Sequence, residues 1–185
     1  LKKKLDNDHI PDKIKLRTQY LPKKDSVKVL ECYAGNGVLW NMIKSKYPDI
    51  EVLRIEKENK KAVALRGDNM KWLPSIDIHQ FDVIDLDSYG SPIQQLEHIL
   101  ERGFKGIIHV TFINCGMGSL PQKLLSKLGI TEKMRKKAPI LCSSNQFQKM
   151  LDYLSILGFK EISHISHGKK HYIVLDSSKL RILAE

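Results

Sequence analysis

The chain has 185 residues, enough for one domain with a buried core and no need of disulfide or metal staples. Its three cysteines, Cys32, Cys115 and Cys142, make no CxxC pair, which argues against a disulfide framework or a zinc site and for buried thiols in a reducing, cytoplasmic setting. A formal net charge of +10 fits either an anionic partner such as nucleic acid or a general surplus of exposed lysine, and no apolar run approaches the ~20 residues of a membrane span.

Residues 1–26 are polar and basic, with Lys2, Lys3 and Lys4 together and prolines at Pro11 and Pro22. They read as an arm or a short leading helix ahead of a body over 27–185, and no secretory leader is expected. Val27-Lys28-Val29-Leu30 predicts a strand ending on Glu31, followed by the tight loop Ala34-Gly35-Asn36-Gly37. Val38 to Tyr47 reads as a helix with Leu39, Met42 and Ile43 on one face. Glu51 to Ile55 predicts a second strand closed by Glu56, and Lys57 to Leu65 a helix ending near Gly67. Phe81 to Leu86 is a further strand. Ser91-Pro92 opens a helix that Gly103 ends, and Lys105 to Phe112 is a strand again. Residues 115–142 read as irregular and basic. Ser144 is expected to cap an amphipathic helix carrying Phe147, Met150, Leu151, Leu154 and Leu157. Two strands then follow directly, Phe159 to Ser166 and Lys169 to Asp176, joined by a turn at His167-Gly168. Tyr172-Ile173-Val174-Leu175 is apolar on both faces, so the last strand is expected inside the sheet and its predecessor at the edge. The alternation predicts an α/β fold: a doubly wound, mostly parallel, seven-stranded sheet ending in an antiparallel hairpin.

In such a sheet ligands bind at the carboxyl ends of the strands. The segment from Glu31 through Tyr33, Gly35 and Gly37 stands there. The glycines permit dihedrals that a side chain resists, and Glu31 offers a carboxylate to a cationic group. A dinucleotide fingerprint wants a third glycine where this chain has Trp40, and no Gly-Lys-Ser/Thr follows for a phosphate loop. Glu56 is placed to accept from both hydroxyls of a ribose. Asp68, beside Asn69, is a candidate for the adenine amino group, or else part of a helix-ending turn. S-adenosylmethionine, a nucleoside with an ammonium and a sulfonium, suits this set.

On these residues the chain resembles the class I S-adenosylmethionine-dependent methyltransferases over roughly 27–176. The Tyr-Ala-Gly-Asn-Gly loop is similar to the Phe/Tyr-Ala-Gly variants of RNA and DNA methyltransferases, with Tyr33 at the superfamily's first glycine. Asp85-Leu86-Asp87-Ser88-Tyr89-Gly90-Ser91-Pro92 resembles the Asp-Pro-Phe/Tyr-Gly-Ser-Pro motif of the tRNA guanine-N2 dimethyltransferases, with Ser88 in place of the family's proline. The resemblance implies Asp87 as the contact to a target amine and Tyr89 as the aromatic that stacks on an extruded base or lids the adenine. Asp85 is expected near the cofactor or in ordering the loop. An amine conjugated to a ring is a poor nucleophile, and acceptors for its hydrogens draw the lone pair out of conjugation for in-line attack on the methyl group.

Three function classes follow. The first is a methyltransferase acting on a base amine in nucleic acid, RNA ahead of DNA. The second is a small-molecule or protein methyltransferase on the same fold. The third is a catalytically inactive module that binds nucleic acid or a partner. Thr111 and Asn114-Cys115-Gly116 are expected at the mouth of the substrate site, and Lys133 to Lys137 and the N-terminal lysines at phosphates. His164, His167 and His171 crowd the terminal hairpin without a cysteine or carboxylate to complete a ligand set, so no metal is expected there.

Overall fold

The computed structural model describes residues 9–58, 64–114 and 120–180. One sheet runs through it in the order β3-β2-β1-β4-β5-β7-β6. Its strands are β1 (Val27–Glu31), β2 (Ile50–Glu56), β3 (Leu65–Arg66), β4 (Val83–Leu86), β5 (Ile107–Ile113), β6 (Ser163–His167) and β7 (Lys170–Asp176). The first five pair in parallel, and β7 runs antiparallel between β5 and the edge strand β6. The expected seven-stranded doubly wound sheet, antiparallel hairpin included, is the observed one. All four residues of β4 are buried, as a strand covered on both faces requires.

Helices α4 (Ile93–Glu101), α5 (Gln122–Lys127) and α8 (Gln146–Ile156) pack on one face. There Leu30, Ile84, Leu86, Ile108, Val110, Ile173 and Leu175 meet Leu96, Leu124, Met150 and Leu154 in one core. The opposite face belongs to α2 (Val38–Lys44) and α1 (Ile10–Gln19). Val27, Val29 and Val83 bury Trp40 and Ile43 of α2, while Leu16 of α1 joins Tyr172 and Val174 of β7. The leading segment is thus a helix docked on the sheet over its described residues, with Leu16 and Arg17 buried. Pro11 sits at its first turn, where a missing N–H costs nothing.

Several elements depart from the sequence expectation. Helix α2 stops at Lys44, three residues short of Tyr47, and its N-terminus is Gly37 in the left-handed region at φ 68°. Residues 120–143 are not irregular: α5 is followed by α6 (Glu132–Lys137), capped by the Thr131 hydroxyl, and α7 (Pro139–Ser143). Helix α8 starts after Asn145, itself left-handed at φ 48°, and Ser144 does not cap it. Strand β6 begins at Ser163; Phe159 is instead a core residue. The helix expected over Lys57 to Leu65 falls largely outside the described residues, and Leu65 opens β3. Cys115, Gly116 and the N-terminal lysines also lie outside them. Cys32 and Cys142 are buried free thiols. Among the described residues no helix is long and apolar enough to cross a membrane.

Candidate functional site

Register aligns the polar residues at the carboxyl ends of the strands. Glu31 of β1 pairs with Arg54 of β2 on one side and Asp85 of β4 on the other, and Asp85 pairs with His109 of β5. Because side chains alternate faces, this row points to the α1–α2 side, above the layer of Val29 and Val83. One step further along β5 and β7 stand Thr111 and Tyr172, paired with each other, and Asp87 follows two residues after Asp85.

Helix α1 delivers two cations to these rows. The Arg17 guanidinium forks onto Asp85, Nε to Oδ2 at 2.7 Å and Nη2 to Oδ1 at 2.8 Å, and Trp40 Nε1 adds a third donor to Oδ2 at 2.6 Å. Lys13 Nζ donates to both oxygens of Asp87, at 2.8 and 2.7 Å, and Thr111 Oγ1 donates to Oδ1 at 2.6 Å. The spacing explains the fit. Four residues of helix rise about 6 Å, and two residues of strand span about 6.6 Å. An i, i+4 pair on α1 therefore meets an i, i+2 pair that starts on β4 and ends just beyond it, running in opposite directions.

Burial sets the charge states here. Glu31 is pushed up to about 8 by burial and by the neighbouring Asp85, although Arg54 Nε donates to it at 2.9 Å. His109 is held neutral, well below the usual imidazole range, by burial first and the Arg17 charge second. Neither of its ring nitrogens has a hydrogen-bond partner among the described residues. Burial, with Asp85 and Glu31 nearby, also pushes the Cys32 thiol far up, so it is inert as a nucleophile.

The glycine loop lies on the other side of β1. Gly35, at φ 53°, donates its N–H to Glu56 Oε2 at 2.6 Å, and Glu58 N–H reaches Oε1 at 3.0 Å. The loop is tied further by Ala34 N–H to the Ile55 carbonyl and Gly37 N–H to the Ala34 carbonyl. Tyr33 packs partly buried against the main core. Asn69 is buried; its Nδ2 donates to the Cys32 carbonyl at 3.1 Å and its Oδ1 accepts from Gln95 at 3.0 Å. Asp68 caps the short helix α3 (Asn69–Trp72), with Oδ1 accepting from Met70 N–H at 2.9 Å.

The structure thus gathers Glu31, Tyr33, Gly35, Gly37, Glu56, Asp68 and Asn69 around the β1–β2 end. It sets Asp85 and Asp87 beneath α1, and leaves Tyr89 86% exposed. Ser88, where the resembled motif has proline, ties the loop in two ways. Its N–H donates to the Leu86 carbonyl, and its buried hydroxyl donates to the Thr111 carbonyl at 3.2 Å. Lys13, Arg17 and His109 are the site residues that sequence reasoning missed. The available signal was the i, i+4 spacing of Lys13 and Arg17 on a helix marked by Pro11.

No family profile matches the chain, and no curated protein matches it by sequence. Solved structures do match by shape. The CurJ carbon methyltransferase superposes with a TM-score of 0.55 at 16% identity, over 88% of this chain and 51% of that one. The fold is that of the class I methyltransferases. A Methanococcus maripaludis protein assigned to the S-adenosylmethionine-dependent methyltransferases superposes at 0.50 with 14% identity, over 94% of this chain and 86% of its own. Human methyltransferase-like protein 13, in complex with S-adenosylhomocysteine, superposes at 0.51 with 13% identity, over 82% and 72%. The chain therefore spans about half of the CurJ methyltransferase and most of the other two. These structures resemble the chain in fold at 13–16% sequence identity.

Proposed function

We propose that the chain is an S-adenosylmethionine-dependent methyltransferase whose acceptor is a nucleic acid, RNA ahead of DNA. The observation that carries the cofactor reading is the Glu56 carboxylate at the end of β2, held against Gly35 N–H at 2.6 Å. Backbone amides fix its position, which suits the two hydroxyls of a ribose. The turned backbone of Gly35 and Gly37 fits a ligand that approaches the main chain, and Asp68 with Asn69 fits the base. The cofactor, when bound, supplies an electrophilic methyl group on a sulfonium.

This chain's residues then position the acceptor. Asp87 would accept from the attacking amine, and Thr111 orients Asp87. Lys13 must yield its place for that contact to form. The net charge of +10 and the basic end of α6, with Lys136 and Lys137 exposed and Arg135 half-buried, support a polyanionic acceptor. The resemblance of residues 85–92 to the tRNA guanine-N2 dimethyltransferase motif supports a base amine. Methyl transfer to the amine nitrogen would leave the cofactor as a thioether and release one proton from the nitrogen.

One observation favours a different reading. Asp87 is ion-paired with Lys13 and accepts from the Thr111 hydroxyl, as suits a module that binds cofactor or nucleic acid without transferring a methyl group. Calorimetric titration with S-adenosylmethionine, followed by radiolabelled transfer to RNA, DNA, protein and small-molecule pools, separates the two. The cofactor should bind the parent and bind Glu56→Ala about 10–100-fold more weakly, the equivalent of one or two charge-assisted hydrogen bonds. Absence of binding at millimolar cofactor would refute the cofactor reading. Binding without transfer to any pool would leave the binding module.

A further inference from the structure

The hairpin histidines do not act as one set. His171 stacks on Phe147 with centroids 3.7 Å apart, and His164 meets the same ring edge-on at 5.0 Å. His167, at the end of β6, turns instead to the start of α1. Its ring lies flat on that of His9 at 3.9 Å, and Asp12 Oδ2 approaches its Nε2 to 2.9 Å. The ligand atoms of His9, Asp12 and His167 all lie within 4.8 Å of one another. Asp12 is thus the carboxylate that the hairpin sequence lacked, and α1 brings it one turn after His9.

Two further features point to a cation rather than a plain ion pair. The Asp12 approach to His167 is not aligned for a hydrogen bond, so Nε2 is shielded from solvent without a hydrogen-bond partner among the described residues. Leaving such a nitrogen unpaired is costly, and coordination would recover that cost. The cation nearest in sequence, Lys13, is committed to Asp87. We propose that His9, Asp12 and His167 bind one borderline divalent cation of the zinc(II) type, with a fourth position left to water. Imidazole and carboxylate ligands at about 2.0–2.2 Å in a tetrahedron stand about 3.3 Å apart, so the rings must turn out of their stacking as the three donors draw together. The bound ion would staple the first turn of α1 to the hairpin and so hold Lys13 and Arg17 over Asp87 and Asp85. This site stands independently of the cofactor reading.

The test uses untagged protein stripped with a chelator. Cobalt(II) is titrated by visible absorption and zinc(II) by calorimetry. One equivalent should bind, with a cobalt spectrum of four-coordinate type and a raised melting temperature. Asp12→Asn, His9→Ala and His167→Ala should each weaken binding at least about tenfold, while His164→Ala should bind as the parent does. Far-UV circular dichroism checks each fold, and the near-isosteric His167→Gln replaces His167→Ala should the latter unfold. No stoichiometric binding to the parent, binding kept by all three ligand variants, or an equal loss in His164→Ala overturns the proposal.

Discussion

The carboxyl edge of the sheet carries two acidic regions that are held in opposite ways. On the β1–β2 side, Glu56 is met by backbone N–H groups of Gly35 and Glu58. On the β4–β5 side, Asp85 and Asp87 are met by Arg17 and Lys13 of α1, with Trp40 and Thr111 completing the shell. Amides orient a carboxylate and leave its charge for a ligand. Cations cancel it and turn it into structure. Acidic residues at equivalent strand ends are thus oriented by backbone on one side and committed to helix docking on the other, and α1 makes the difference.

The largest effect should come from breaking the α1 anchor at its most buried point. Arg17 and Asp85 are both almost fully buried. Removing one partner strands the other charge, at a cost of about 3–5 kcal/mol. Arg17→Met should therefore lose about that much in urea unfolding. The double variant Arg17→Met with Asp85→Leu should recover most of the loss, since an apolar pair strands no charge. A single variant within about 1 kcal/mol of the parent would show that the fork does not anchor α1.

A second effect sharpens the contrast through pH. Glu31 lies in the cation-held row, yet burial and Asp85 raise it to about 8 from an ordinary 4.5. A carboxyl raised on folding binds its proton more tightly in the native state. Its contribution is fully present below pH 4.5 and is lost as pH rises through about 8. The stability of the parent relative to Glu31→Gln should fall across that window, with a slope of up to about 1.4 kcal/mol per pH unit. Parallel pH profiles for the two proteins would mean that Arg54 keeps Glu31 ionised throughout.

The two regions were also unequally legible in the sequence. Glu31, Gly35, Gly37 and Glu56 sit at strand ends or in a tight turn, so local alternation places them. The parallel strands followed from the alternation of strand and helix patterns, and the hairpin from its turn. The α1 contacts could not be read this way. Its docking face is built from Lys13 and Arg17 beside one buried leucine, and such a face reads as solvated until the sheet register puts Asp85 and Asp87 beneath it. The row Glu31–Asp85–His109 likewise exists only once β1, β4 and β5 are paired. The three short helices of 120–143 escaped because none is long enough to show a helical period. His9, Asp12 and His167 come from nearly opposite ends of the chain, which no local pattern joins.

Lys13 tests the outer half of the α1 anchor. Its pair with Asp87 is partly exposed, at 15% and 19% of side-chain surface, so salt and solvent weaken it relative to the Arg17 fork. Lys13→Met should cost about 0.5–1 kcal/mol, and 0.5 M salt should shrink the gap to the parent. The same change uncovers Asp87. On the methyltransferase reading, kcat/KM for the acceptor should rise in this variant and collapse in Asp87→Asn. Unchanged transfer in both would take Asp87 out of the reaction and leave it a docking point for α1.

The smallest effect on stability, and the most selective on function, should come from Tyr89. The residue is 86% exposed on the loop that Ser88 ties to Thr111, so Tyr89→Ala should change unfolding by no more than about 0.5 kcal/mol. An exposed aromatic beside a carboxylate-bearing loop is well placed to stack on a base, a contact worth about 1–3 kcal/mol. The acceptor KM in RNA methylation should then rise about 5–150-fold, with cofactor affinity unchanged. That split matters because Tyr89 lies beyond both carboxylate regions, so a change confined to acceptor binding assigns it to neither. An equal loss of cofactor affinity would instead place Tyr89 over the adenine, on the amide-held side.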